Sequence, residues 1–230
     1  MPAISVVEAF GPTLQGEGPH AGRACVFLRL GGCNLSCSWC DTPYSWDGRR
    51  YDLRQEIQQL TVDQIMDRMP TGNMVIVTGG EPLLQQDNPW WPLLLDRLSD
   101  AYPLGLHLET NGTIAPNEAS RSLFTHITVS PKLANAGNHR GHQSRAIWDH
   151  WKSIPQAIFK IVVENEQDVV DAVDLASYYG MRPRLWVMPQ GITAAELDMR
   201  WPVIAQAAAE RGVNATHRLH VLAWGPERGH

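Results

Sequence analysis

Seven short apolar runs rich in β-branched residues punctuate the chain, at residues 24–30, 74–77, 104–108, 126–129, 157–163, 185–188 and 217–222. Runs of this length, bounded by polar or glycine-containing segments, predict strands. Segments between several of them carry a helical period instead. Thr61 is an N-cap candidate ahead of apolar residues at 62, 65, 66 and 69. Residues 90–101 set Leu94, Leu95 and Leu98 inward, and 167–179 and 194–211 follow the same pattern. Strands alternating with helices predict parallel βαβ units. Six or seven such strands in this length predict an α/β fold that is an open or partial β/α barrel, with fewer helices than a complete one. Residues 133–152 are polar and aperiodic and read as a long loop; 43–60 read as irregular, with a short helical piece near the end.

The polar residues that interrupt the runs gather where the strands end. Val77 leads into Thr78-Gly79-Gly80-Glu81-Pro82, Leu108 into Glu109-Thr110-Asn111-Gly112, Val129 into Ser130-Pro131-Lys132, and Met188 into Pro189-Gln190-Gly191. In a parallel β/α fold the C-terminal strand ends share one face, and that face carries the site. Four polar clusters at four such ends therefore predict one site assembled from distant segments.

Composition narrows the class. The chain has 230 residues, 43% hydrophobic and 19% charged, which suits a single domain over residues 1–230 with a sizeable core. A net charge of −5 without a basic stripe argues against duplex nucleic acid as a partner. The N-terminus shows no basic segment followed by an apolar one, and no apolar run is long enough to span a bilayer. A cytoplasmic location, away from membranes, is the expectation. In that compartment clustered cysteines signal metal or catalysis rather than disulfides.

Cys33, Cys37 and Cys40 form such a cluster, a C-x3-C-x2-C run reached from the strand at 24–30 through Gly31-Gly32; the fourth cysteine, Cys25, lies mid-strand as a packed thiol. A structural zinc site closes its shell with four protein ligands. That reading needs a distant fourth ligand such as His107 or His126. A 4Fe–4S cluster on three cysteines keeps one iron open to a non-protein ligand.

The cysteine run followed by a strand ending in Gly79-Gly80-Glu81-Pro82 resembles the radical S-adenosylmethionine (SAM) enzymes. The resemblance implies that Cys33, Cys37 and Cys40 hold a 4Fe–4S cluster and that SAM chelates the open iron. Further segments are similar to the 7-carboxy-7-deazaguanine synthases of the queuosine and 7-deazapurine pathway: Leu14-Gln15-Gly16-Glu17-Gly18, Phe27-Leu28-Arg29, Cys40-Asp41-Thr42, Glu109-Thr110-Asn111-Gly112, Ser130-Pro131-Lys132, Phe159-Lys160 and Thr216-His217-Arg218. They run from about Glu8 to Leu222.

This resemblance implies a lyase that converts 6-carboxy-5,6,7,8-tetrahydropterin to 7-carboxy-7-deazaguanine with loss of ammonia. Hydrogen abstraction at C6 by a 5′-deoxyadenosyl radical starts the ring contraction. It implies SAM contacts at Trp39, Asp41, Gly79, Gly80, Glu81, Ser130, Pro131, Lys132 and Gln190. It also implies Mg²⁺ on the hydroxyl of Thr42, a hard oxygen ligand suited to that cation. Pterin contacts fall on Leu14, Gln15, Gly16, Glu17, Arg29, Thr78, Glu109 and His217, with Arg29 as a planar fork for the substrate carboxylate. A homodimer and flavodoxin or ferredoxin as electron donor complete the expectation. The rival readings are a glycyl-radical-enzyme activase, which shares the cysteine run and Gly-Gly-Glu, and a metal-binding module without catalysis.

Overall fold

The computed structural model describes residues 3–137 and 145–230. Their strands form one sheet: β1 (Ile4–Leu14), β2 (Ala24–Leu30), β3 (Gln58–Leu60), β4 (Met74–Gly79), β5 (Gly105–Thr110), β6 (His126–Val129), β7 (Ala157–Val163), β8 (Leu185–Pro189) and β9 (Asn214–Ala215). The order across the sheet is β3-β1-β2-β4-β5-β6-β7-β8-β9. From β2 through β9 every pairing is parallel, while β1 runs antiparallel to both its neighbours. The sheet curls without closing, the partial barrel that the sequence predicts. The helices are α1 (Leu53–Glu56), α2 (Val62–Met66), α3 (Trp91–Ala101), α4 (Glu118–Leu123), α5 (Arg145–Lys152), α6 (Glu166–Tyr178), α7 (Ala194–Glu210) and α8 (Leu219–Trp224). Among the described residues no helix is long and apolar enough to cross a membrane.

Strand periodicity divides the molecule in two. Side chains of one parity (Val75, Val77, Leu106, Leu108, Ile127, Val129, Phe159, Ile161) join the helix-covered core with Trp91, Leu94, Leu95 and Leu98 of α3. The other parity faces the barrel interior, which starts apolar under β2 and β4 (Cys25, Phe27, Met74, Ile76) and turns polar across β5–β7. Reciprocal capping boxes start α2 (Thr61 with Gln64) and α7 (Thr193 with Glu196), bearing out the N-cap expected at Thr61.

The structure adds β3 and α4, which the sequence reading does not name, and differs from it at three further segments. β1 carries no clean alternation because Gly11 and Pro12 interrupt it, and its register against β2 shifts between Phe10 and Thr13. Residues 145–152, expected as loop, form α5; Trp148 and Trp151 anchor it in the core, but the charged residues and histidine around them dilute the apolar period. The remainder of that expected loop at 138–144 lies outside the described residues. The last strand, expected at 217–222, is replaced from Leu219 by α8, and the strand is the short β9 just before it. Over six residues a period of 2 cannot be told from one of 3.6.

At the N-terminal ends of β5 and β6 the barrel is plugged by three imidazoles. The ring centroids of His20, His107 and His126 lie 4.4–5.1 Å apart. Burial first, and the neighbouring rings and charges second, hold His107 down to about 3 and His126 to about 4. The unfolded chain takes up these protons near pH 6.5 while the folded chain refuses them. Stability is therefore complete above that value and declines as pH falls toward 4. Urea unfolding at pH 7 and pH 5 should differ by on the order of 2–4 kcal/mol, with a shallower decline in His107→Phe. Equal midpoints at the two pH values would contradict this.

Candidate active site

The cavity opens at the C-terminal strand ends and descends into the polar half of the barrel. Its upper rim is the cysteine loop. Gly31 and Gly32 leave β2 by donating to the carbonyls of Ser5 and Ser45, and Gly32 takes φ +92°, which a side chain would oppose. Cys33, Cys37 and Cys40 then all line the cavity. The end of β4 packs tightly behind them: a Cβ on Gly80 would stand 2.1 Å from the Gly32 carbonyl oxygen and 2.9 Å from Cys33 Cβ. Burial is the main cause that pushes the Cys33 thiol up to about 11, against the Leu35 N–H and with the help of Glu81 and the other two cysteines. A thiolate there calls for a cationic partner.

Donors are already aimed at the sulfurs. Trp46 Nε1 donates to Cys40 Sγ at 3.3 Å, the Leu35 N–H to Cys33 Sγ at 3.4 Å, and Asn111 Nδ2 approaches Cys33 Sγ at 3.9 Å. Such N–H···S contacts stabilise an iron–sulfur cluster. The zinc reading loses its fourth ligands, because His107 and His126 belong to the plug at the opposite end of the barrel. Cys25 is 2% exposed among Phe27, Met74 and Ile76, and burial together with Glu109 pushes it up to about 12. The three-cysteine loop thus fits a bulky cluster with an open side facing the cavity.

Around that loop, Trp39, Asp41, Thr42, Gly79, Gly80, Ser130, Lys132 and Gln190 line the same cavity. Lys132 donates to Ser130 Oγ at 2.8 Å, and its ammonium stands 5.6 Å from the centre of the Trp39 ring. Gln190 Oε1 accepts from Arg200 at 2.7 Å. Thr42 precedes a short 3-10 turn but its hydroxyl makes no capping bond; it lies 3.8 Å from Cys40 Sγ. Glu81 and Pro131 do not line the cavity. Glu81 is fully buried and accepts from the Leu83 and Asn111 N–H groups and the Thr110 hydroxyl, fastening the turn after β5. Burial raises its pKa despite these donors.

Deeper in, Gln15, Glu17, Arg29, Thr78 and Glu109 converge, while Leu14 lines the cavity with its side chain partly exposed. Gln15 Nε2 and the Thr78 hydroxyl donate to the two oxygens of Glu109 at 3.1 and 2.9 Å. Arg29 and Glu17 do not pair with each other. Arg29 donates through Nε to Glu8 at 2.8 Å, and Glu8 also accepts from the Tyr44 hydroxyl and from Arg228. Glu17 accepts from Lys160 and, at 2.9 Å, from Arg218, which also holds Asp41 and the Gly191 carbonyl. Burial would raise Glu17, but the charges of Lys160, Arg218 and His220 outweigh it and hold it well below the carboxylate range. Burial likewise opposes charge on Lys160, yet Glu17 and Glu109 keep its pKa above normal.

Gly16 contributes backbone alone: its carbonyl accepts from the Leu219 N–H, and a Cβ would stand 1.9 Å from His220 Nδ1. His217 is not brought to the cavity. Its ring sits edge-on to Trp201 and its Nδ1 accepts from the Arg218 N–H. His220, one turn further on, lines the cavity instead, 3.9 Å from Glu17. Sequence reasoning gave no role to Lys160, Arg218 or His220. The legible signal for Lys160 was a lone charge inside an apolar strand; His220 depended on knowing that its segment is a helix.

The family model of the Radical SAM superfamily matches residues 28–196. The chain is 35% identical to the 7-carboxy-7-deazaguanine synthase of Pyrobaculum aerophilum, over 99% of this chain and 98% of that one. It is 34% identical to the 7-carboxy-7-deazaguanine synthase of Hyperthermus butylicus, over 97% and 94%. The crystal structure of QueE from Escherichia coli shares the fold with a TM-score of 0.66 at 22% identity, over 94% of each chain. Full-length kinship, the superfamily match and a cysteine loop open toward a polar cavity agree: the chain belongs to the radical SAM superfamily and, within it, to the 7-carboxy-7-deazaguanine synthases, which are lyases.

Proposed function

We propose that the chain converts 6-carboxy-5,6,7,8-tetrahydropterin to 7-carboxy-7-deazaguanine and ammonia, assisted by Mg²⁺. One observation carries this reading: the three-thiol loop and a buried hydrogen-bonding floor of Gln15, Glu17, Thr78 and Glu109 share one cavity. A pterin has a flat, polar edge of amide and amino-amidine groups that needs paired acceptors and donors, and such a floor supplies both.

When bound, the cluster and SAM supply reductive formation of a carbon radical able to take the hydrogen from C6. The residues of the chain position everything else. Cys33, Cys37 and Cys40 hold the cluster; Trp39, Asp41, Gly79, Gly80, Ser130, Lys132 and Gln190 surround SAM. Glu81 acts on that region through the backbone it fastens, and Pro131 by setting the chain direction between Ser130 and Lys132. Arg29, steadied at Nε by Glu8, turns its terminal nitrogens to the substrate carboxylate. Thr42, its hydroxyl free of a capping role, would hold Mg²⁺, and the ion would supply Lewis-acid polarisation of that carboxylate when bound. Glu17, Glu109, Gln15 and His220 read the ring. The protein works in the cytoplasm as a homodimer, with flavodoxin or ferredoxin as electron donor.

Anaerobic incubation with SAM, reductant, Mg²⁺ and the carboxytetrahydropterin should yield 7-carboxy-7-deazaguanine by mass spectrometry. SAM cleavage without that product would refute the substrate. Arg29→Ala should raise KM by roughly 10- to 100-fold, the worth of a charge-assisted hydrogen bond, and an unchanged KM would remove the clamp. Thr42→Ala should raise the Mg²⁺ concentration needed for half-maximal rate while leaving iron content at the wild-type level; an unaltered Mg²⁺ response would remove Thr42 from the metal.

A further inference from the structure

We propose that Lys160 is a specificity-determining residue: paired with Glu17, it makes the cavity floor select a heterocycle edge that ends in a carbonyl oxygen rather than an amino group. This deepens the pterin reading and rests on it.

Lys160 sits in the middle of β7, where Phe159 and Ile161 on either side enter the helix-covered core, so strand alternation turns its side chain into the barrel. It is 5% exposed and lines the cavity. An ammonium carries three N–H donors and accepts nothing. One donor goes to Glu17 Oε2, and Glu109 Oε1 lies 3.8 Å away on the other side. A third donor is left over in a place shielded from water, where a polar group without a partner is costly. The neighbouring cation is more fully engaged: Arg218 gives its Nε to Glu17, one terminal nitrogen to Gly191 and the other to Asp41, with His220 Nε2 3.4 Å from that last nitrogen. The Thr128 hydroxyl, also in the cavity wall, is engaged with His126 at 3.3 Å.

A carboxylate followed by an ammonium presents acceptor, acceptor, donor. That is the complement of a 2-amino-4-oxo pyrimidine edge, which presents two N–H groups and then a carbonyl oxygen. Replacing the carbonyl by an amino group sets donor against donor and leaves the Lys160 proton unpaired. A site built to hydrogen-bond one group discriminates strongly against an analogue that cannot reciprocate.

Two stable ligands separate the cases: 6-carboxypterin and its 2,4-diamino counterpart, which differ at the 4-position and in the N3–H that goes with it, and share the carboxylate for Arg29. Calorimetric titration of SAM-loaded holoenzyme should show the 4-oxo ligand preferred by about 30-fold or more, a modest share of the discrimination such sites reach. In Lys160→Met the preference should fall by about tenfold, through loss of affinity for the 4-oxo ligand, the remainder being the N3–H read by Glu17. Equal binding of both ligands by the wild type would overturn the inference without any variant, which covers a Lys160→Met chain that does not fold. An undiminished preference in a folded Lys160→Met, or an equal loss for both ligands, would overturn it as well, leaving Lys160 a structural counter-charge. If the wild type bound neither ligand, or bound both as well after Glu17→Gln and Arg29→Ala, the pterin reading would fail and this inference with it.

Discussion

The ion cluster centred on Glu17 holds the interior in shape. An open barrel has a gap between its edge strands, and here it is bridged by the loop after β1. The Gly18 N–H donates to the Thr216 hydroxyl, the Leu219 N–H donates to the Gly16 carbonyl, and between these two bonds Glu17 turns inward to Lys160 and Arg218. Arg218 carries the connection up to Asp41, next to the cluster ligand Cys40. One carboxylate thereby joins the first strand, the seventh, the segment after the ninth and the cysteine loop. Removing one partner of such a buried network typically costs about 3–5 kcal/mol, because the remaining charge stays desolvated. The polar cavity is consequently not a hole left by poor packing; its walls are fixed by charge pairs that no apolar set would orient.

The parallel strands β4 to β8 were legible because each is a short apolar run, and four polar endings among them also announced the site. The cysteine loop was legible from spacing alone. β1 was hidden by Gly11 and Pro12, which read as a turn but serve as an irregularity within a long strand. α5 was hidden because its two buried tryptophans stand among charged neighbours. The error at residues 217–222 had a chemical consequence. Read as a strand, the segment made His217 the natural inward histidine; as the start of a helix it turns His217 to Trp201 and brings His220 to Glu17. A shift of three residues changed which imidazole belongs to the site.

The site's electrostatics grade from top to bottom. Near the mouth, burial disfavours a thiolate at Cys33 unless a cation arrives. In the middle, carboxylates and cations are matched and ionised. At the base, burial and mutual proximity keep the imidazoles neutral. Apolar strand parity on the helix side lets these three regimes coexist inside one sheet, since the outer faces supply the packing and the inner faces are left for chemistry.

Glu81 shows what this arrangement means for reading short motifs. The Gly-Gly-Glu segment suggests two glycines making room and a carboxylate reaching for a ligand. Here the glycines do make room, while the carboxylate turns away and ties the β4 turn to the β5 turn through three donors. A ligand that brings its own carboxylate to this rim therefore meets the motif's charge only through Cys33 and Lys132, which feel it, and otherwise the backbone the motif has fixed. The glutamate works as a rivet between two loops, and Lys132 on the rim it secures is the cation that offsets its charge.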